Sequence, residues 1–252
     1  MRFVRSANSA PLENGIQIKR LQIFSCRGCQ NNREKETTVK RIKISDYVIH
    51  RLPKYLRQLE LLQQNGMNRV SSAALGERMG QTASQIRQDF SCFGEFGQQG
   101  YGYNVLKLRD EIASILGMDR GHTAILLGMG NIGCALAENF CFANCGIDLK
   151  CAFDLNPEKF GKNINGIEVK GQHELEEYLA RNPIDIAVLC VPKTAAQPLT
   201  ELLIACGVEA FWNFTGVDIA LGHGDILVEN ISFSDSLMAL GYYLKNPRTH
   251  TA

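Results

Sequence analysis

Ala124-Ile125-Leu126-Leu127-Gly128-Met129-Gly130-Asn131-Ile132-Gly133 is the stretch whose reading decides the fold. An apolar strand runs straight into a Gly-x-Gly-x-x-Gly turn, and the turn opens a helix. In that context each glycine has a job. Gly128 permits the tight turn, Gly130 lets a pyrophosphate approach the backbone, and Gly133 allows the helix to pack close to the strand, while the N–H groups of Met129, Asn131 and Ile132 surround the helix start. Asp154 stands twenty-one residues after Gly133, at the end of the next expected strand. A carboxylate there can bond both ribose hydroxyls of an adenosine and repels a 2′-phosphate, which favours NAD(H) over NADP(H). If the glycines served packing alone, Asp154 would be a surface cap. Strand, fingerprint, helix, strand and acid in order favour the dinucleotide reading.

Beyond this unit the chain alternates strands and helices: a helix over 131–143, a strand over 149–153, a helix over 174–180, a strand over 184–191, a helix over 195–206 and strands over 210–214 and 226–228. Ile186-Ala187-Val188-Leu189-Cys190-Val191 is an unbroken apolar run, as expected of a strand buried on both faces, so the sheet should be parallel and doubly wound. Val191-Pro192 and Phe214-Thr215 follow two of these strands and could line the nicotinamide end of a site, or be ordinary strand-end turns. A last helix over 235–244 carries Leu237, Met238, Leu240, Tyr242, Tyr243 and Leu244, too many apolar residues for a lone surface helix, so it should pack against a partner.

The N-terminal half has a different character. Residues 40–110 hold eleven Lys/Arg against six Asp/Glu, whereas residues 111–252 hold nine against seventeen. A basic half suits phosphate, although solvated helical modules share that bias. Leu52, Leu56, Leu59 and Leu62 recur at helical spacing, with Pro53 in a first turn and Gly66 at the end. Ser71 and Ser72 are N-cap candidates for a short helix stopped by Gly80, and Thr82 with Gln85 forms a capping box that opens a third helix. Two short helices around a Gly-containing turn outline a helix-turn-helix. The third helix should expose Ser84, Gln85, Arg87 and Gln88 toward a major groove, with Arg87 the best single candidate; the plain alternative is a solvated face. Residues 93–103 alternate aromatics and glycines as a β-hairpin does, which makes a wing bearing Gln98, Gln99 and Gly100. A further amphipathic helix with Val105, Leu108 and Ile112 leads to the turn at 117–121, the expected domain boundary.

Other classes find little support. No run is long and apolar enough to cross a bilayer, and no leader-like segment opens the chain. Cys134, Cys141, Cys151, Cys190 and Cys206 lie in apolar runs, where a reduced thiol behaves as a small hydrophobe, so a cytosolic compartment is expected. Cys26 and Cys29 lack a second ligand pair at zinc spacing, so no metal is expected. Residues 1–40 read as a disordered extension. A dehydrogenase would need a substrate domain and an acid or base; His122, His173 and His223 read as turn or surface histidines, and only about 25 residues follow the last strand. A third possibility is a DNA-binding protein whose Rossmann unit serves only to dimerise.

With these residues in view, residues 45–246 resemble the Rex family of bacterial redox-sensing transcriptional repressors. The likeness rests on Arg51-Leu52-Pro53, Val70-Ser71-Ser72 with Leu75, Ile86-Arg87-x-Asp89-Phe90-x-x-Phe93-Gly94, Gly100-Tyr101-Gly102-Tyr103, Gly128 to Gly133, Phe153-Asp154, Val191-Pro192 and Asn213-Phe214-Thr215. It implies a winged-helix domain over 45–117, a Rossmann domain over 121–232, and a helix over 233–246 exchanged within a homodimer. It further implies binding to an inverted-repeat operator, release from DNA by NADH, and competition by NAD⁺ without release. Three positions depart from the family pattern. Gln88 and Gln99 stand where basic residues are common, which implies weaker phosphate attraction. Ser232 stands where an Asp commonly bonds residues resembling Arg57 and Tyr103; Asp235 or the Ser232 hydroxyl is the expected substitute.

Overall fold

The computed structural model describes residues 44–94, 96, 101–219 and 226–246. The expected extension over 1–40, with Cys26 and Cys29, lies outside the described residues, as do His223 and most of the wing, including Gln98, Gln99 and Gly100.

The N-terminal unit is built on one apolar cluster. Helix α1 (Asp46–Ile49) leads into α2 (Leu52–Gln64), which begins with Pro53 in its first turn and gives way to Gly66 at φ +73°. The periodic leucines Leu52, Leu56, Leu59 and Leu62 all point inward, as their spacing requires. A two-residue strand, β1 (Arg69–Val70), precedes α3 (Ser72–Met79). Ser71 is the N-cap, accepting from the Ala74 N–H at 3.0 Å, and Gly80 ends the helix in the left-handed region at φ +64°. Next comes α4 (Ala83–Ser91), whose Ile86 and Phe90 are buried. The capping box is only half made. Thr82 Oγ1 accepts from the Gln85 N–H at 3.1 Å, but the Gln85 side chain turns away to a buried acid. Strand β2 (Tyr103–Asn104) pairs antiparallel with β1, and α5 (Val105–Ile115), capped by Asn104, closes the cluster with Val105, Leu108 and Ile112. Phe90 is its aromatic hub, edge-on to Tyr55 at 5.0 Å, Tyr103 at 5.2 Å and Phe96 at 5.7 Å between ring centroids.

A seven-stranded sheet follows among the described residues. Its elements are β3 (His122–Leu127), α6 (Asn131–Asn139), β4 (Ile147–Asp154), β5 (Asn163–Ile164), β6 (Ile167–Gly171), α7 (Leu175–Arg181), β7 (Ile186–Leu189), α8 (Lys193–Ala205), β8 (Ala210–Asn213) and β9 (Leu227–Asn230). The order β5-β6-β4-β3-β7-β8-β9 is parallel from β6 to β9, so the expected doubly wound sheet is present. Alternate residues of β3 face opposite layers. Ile125 and Leu127 meet Leu175, Leu179, Leu199 and Leu203 from α7 and α8, while Ala124 and Leu126 meet Ala137 of α6 and Phe142.

Three expectations need correction. The sheet is not wholly parallel, because β5 and β6 form an antiparallel hairpin at one edge, turning through Asn165 at φ +51° and Gly166 at φ +87°. Helix α6 stops at Asn139 instead of reaching Ala143, and a separate 3-10 turn spans Phe142–Cys145. Its C-terminal carbonyls at Ala137 and Glu138 are met by the Asn165 amide, and Phe140 takes an extended conformation that sends its ring against Phe142 and Trp212. Among the thiols, Cys151 is buried and Cys134 and Cys190 are half-buried, but Cys141 and Cys206 are exposed because each sits at the flank of a helical turn rather than inside one.

The last helix, α9 (Phe233–Lys245), buries no residue; Phe233, Leu237, Met238, Leu240, Tyr242 and Leu244 all face outward. Among the described residues, no helix is long and apolar enough to cross a membrane.

Candidate functional site

Two candidate sites can be built from the described residues. The first lies at the carboxyl edge of the sheet, where β3 separates strands that wind to either side. Gly128 takes φ +91°, and a Cβ there would come within 2.6 Å of the Cys190 carbonyl oxygen, so the close approach of the chain just past β3 to the chain just past β7 requires glycine. A Cβ on Gly133 would overlap the Gly128 carbonyl. At Gly130 there is open space within 4 Å, and α6 starts there without a side-chain cap. The three glycines therefore divide their duties as the fingerprint requires, with room at the central one for a diphosphate facing uncapped helical N–H groups. Asn131 and Ile132 are exposed beside it, and Gly133 is buried. Met129 acts differently from its neighbours: its side chain is buried, and its N–H donates to Asp154 Oδ2 at 2.7 Å, so it orients the acid rather than offering a donor to phosphate.

Asp154 also accepts from the Asn156 N–H at 2.7 Å and from the Lys159 ammonium at 3.2 Å. Burial raises its pKa, but the two backbone N–H groups and Lys159 outweigh it, and the carboxyl is held below its ordinary value. Val191 lies against Gly128, and Pro192 caps α8. One strand further on, Thr215 is buried and both its N–H and its hydroxyl donate to Asn213 Oδ1, at 3.0 and 2.7 Å. The Phe214 ring packs on Trp212 at 4.6 Å and toward Phe233 at 6.4 Å. Lys159 was not foreseen, since a lysine in a strand-end turn carries no pattern of its own. His122 begins β3 at the amino edge of the sheet beside Asp185, whereas His173 lies in a 3-10 turn just after β6, against Phe160.

The second site is the outer face of α4. Arg87 is exposed and donates to Ser72 Oγ at 3.0 Å, which joins the first and second helices of the helix-turn-helix across their outer surface. Ser84 and Gln88 are exposed on the same helix, and Ser71 is occupied as the cap of α3. Gln85 departs from expectation. It is half-buried, and its amide donates to Asp89 Oδ1 at 2.8 Å. Asp89 is fully buried and collects Arg51 Nε at 2.6 Å, Arg51 Nη2 at 2.7 Å and the Tyr55 hydroxyl at 2.6 Å, so it ties α4 to α2. Its importance escaped the sequence reading because nothing local distinguishes a buried acid from an exposed one on a polar helix. Arg69 on β1 was also missed; its guanidinium donates to the Tyr101 carbonyl at 3.2 Å and lies 6.0 Å from the Tyr101 ring centre, at the root of the wing.

Among the described residues, no hydrogen bond or ion pair joins Arg57 or Tyr103 to Ser232 or Asp235. Arg57 is exposed in a cleft of about 860 Å³ with Glu60, Arg109 and Asn144, and the Tyr103 ring faces Phe90. Ser232 instead caps α9, accepting from the Asp235 N–H at 3.3 Å.

A helix-turn-helix with a short β-ribbon, joined to a glycine-cornered doubly wound sheet, defines a DNA-binding regulator with a Rossmann domain rather than an enzyme. Comparison with known proteins narrows the class. Residues 43–91 match the model of a putative DNA-binding protein N-terminus, and residues 119–217 that of a CoA-binding domain. The redox-sensing transcriptional repressor Rex of Thermoanaerobacter pseudethanolicus is 46% identical over 205 residues, covering 81% of this chain and 91% of that protein, and Rex of Clostridium beijerinckii is 49% identical over 201 residues, covering 80% and 95%. A crystal structure of the Rex-family repressor RSP with β-NAD⁺ and operator DNA superposes with a TM-score of 0.75 at 45% identity, covering 83% of this chain and 94% of that one. Its complex with β-NADH gives 0.73 at 42% identity, covering 83% and 96%. The chain belongs to the Rex family of redox-sensing transcriptional repressors.

Proposed function

We propose that this repressor binds an inverted-repeat operator as a homodimer and leaves it when NADH replaces NAD⁺, so that transcription follows the NADH/NAD⁺ ratio in the cytosol. The observation that carries the reading is the division of labour among Gly128, Gly130 and Gly133 beside Asp154. It leaves one open, donor-lined corner and one fixed carboxylate, as a dinucleotide requires. The nucleotide site comprises residues 128–133 with Asp154, and Val191, Pro192, Phe214 and Thr215 line its nicotinamide end. When bound, the nicotinamide supplies a ring that is neutral when reduced and cationic when oxidised. A neutral ring is buried between apolar subunits at lower cost, so the reduced form favours a closed dimer.

DNA contact is assigned to Ser71, Ser72, Ser84, Arg87 and Gln88, with Gln98, Gln99 and Gly100 from the wing, while Gln85, turned inward to Asp89, supports α4 from behind; the domains run over 45–117 and 121–232. The homodimer is supported by two complementary features. Helix α9 leaves its apolar residues uncovered, and an apolar cleft of about 740 Å³ opens between Ile49 of α1 and the sheet face carrying Val188, Trp212 and Val228. Exchange of the helix over 233–246 between two copies would fill both clefts. It would also bring Asp235 or Ser232 from the second copy toward Arg57 and Tyr103, where the charged link of the family is otherwise missing. Since the Ser232 hydroxyl already caps α9, Asp235 is the better substitute.

Operator retention at fixed salt, titrated separately with NADH, NAD⁺ and NADPH, tests the reading. Release by NADH at concentrations where NAD⁺ leaves DNA bound is expected. Binding indifferent to all three would leave the sheet as a dimerisation scaffold only.

A further inference from the structure

Directly after β4, Asn156 opens a 3-10 turn (Pro157–Lys159), its side chain accepting from the Glu158 N–H at 3.0 Å. The turn carries Lys159 back over the acid at the strand end. Its ammonium donates to the Met129 carbonyl at 2.7 Å and to Asp154 Oδ2 at 3.2 Å, and its side chain remains 30% exposed. A lone acid at this position excludes a 2′-phosphate mainly by repulsion. Here the repelling charge is offset by a cation beside it. Moreover, the ammonium sits on a flexible stem that is reachable from solvent, so it can turn to a phosphate with little rearrangement.

We propose that Lys159 is a specificity-determining residue of the nucleotide site, one that makes it accept a 2′-phosphorylated dinucleotide more readily than Asp154 alone would. The proposal rests on the dinucleotide reading given above. Lys159 thus has two effects on binding: it holds Asp154 in place for either nucleotide, and it supplies counter-charge to only one of them.

Fluorescence titration of the full chain with NADH and with NADPH separates these effects. In Lys159→Gln the ratio of the NADPH to the NADH dissociation constant should rise about tenfold, the order expected for removing one charge beside a partly exposed phosphate. Lys159→Arg should keep the ratio near that of the unmodified chain. Equal weakening of both nucleotides would make Lys159 merely structural and overturn the proposal, as would an unchanged ratio. A second measurement needs no variant: raising salt on the unmodified chain should weaken NADPH more steeply than NADH, and equal slopes would overturn the proposal. Failure of the unmodified chain to bind NADH would instead refute the dinucleotide reading.

Discussion

Arg51 and Asp89 meet through two hydrogen bonds, Nε to Oδ2 at 2.6 Å and Nη2 to Oδ1 at 2.7 Å, thirty-eight residues apart in sequence and with the carboxylate fully buried. This pair fixes the angle of α4 against α2. Because removal of one partner leaves a buried charge uncompensated, Arg51→Met should lower the stability of the N-terminal unit by about 3 kcal/mol. Urea unfolding followed by circular dichroism measures it. A loss below about 1 kcal/mol would mean that Tyr55 and Gln85 suffice to hold the acid.

The same network predicts a pH profile. Burial pushes the Asp89 pKa up, but bonds from Arg51, Tyr55 and Gln85 bring it below its ordinary value, and Asp154 is likewise held low. Depressed carboxylates contribute stability that is present above their unfolded pKa, about 3.9, and is lost as pH falls through the folded value. Burial and the Asp89 bond raise the Tyr55 pKa, so its contribution is complete below the ordinary tyrosine value, about 10, and is lost only as pH rises past it. The melting temperature should therefore be flat from about pH 5 to 9 as far as these groups are concerned, and fall steeply below about pH 4. A fall centred near pH 6 would point to histidines instead.

Arg87 should carry a measurable share of operator binding. Arg87→Ala is expected to weaken binding by about 1–3 kcal/mol. A uniform loss across operator variants, with a shallower salt slope, would identify a phosphate contact; a loss confined to one base position would identify a base contact. Electrophoretic shift at two salt concentrations distinguishes them. No change in either would place Arg87 on a solvated face.

The glycines make opposite predictions from adjacent positions. Gly130 faces open space, so Gly130→Ala should fold with an unchanged melting temperature yet lose NADH binding by more than about tenfold, because a methyl group would stand where the pyrophosphate approaches. Gly133 is pressed against the Gly128 carbonyl, so Gly133→Ala should lose stability and nucleotide together. Calorimetry of both variants checks the contrast.

Leu240 on α9 is 56% exposed, amid other apolar residues that are likewise exposed among the described residues. Leu240→Glu should therefore leave the fold of each chain intact and convert the dimer to monomer in sedimentation experiments. Dimers that persist unchanged would show that α9 lies outside the interface.

Much of this molecule was legible before any coordinates. The β3 fingerprint, the leucine spacing of α2, the Ser71 and Thr82 caps and the Gly80 stop are all local, since each depends on the chain within a few residues of itself. The β5–β6 hairpin was legible as well, because Asn165-Gly166 between Ile164 and Ile167 is a strong hairpin signal, and it was overlooked beside the parallel pattern. What tertiary structure alone decided are the partners of polar side chains. Gln85 turns inward to Asp89 rather than outward, Asn165 ends α6 from another element, and Lys159 closes over Asp154. A hydrogen bond is made by whichever groups the folded backbone brings within about 3 Å, and sequence distance says little about that. Periodicity determined which faces are buried; only packing determined which charges and amides meet.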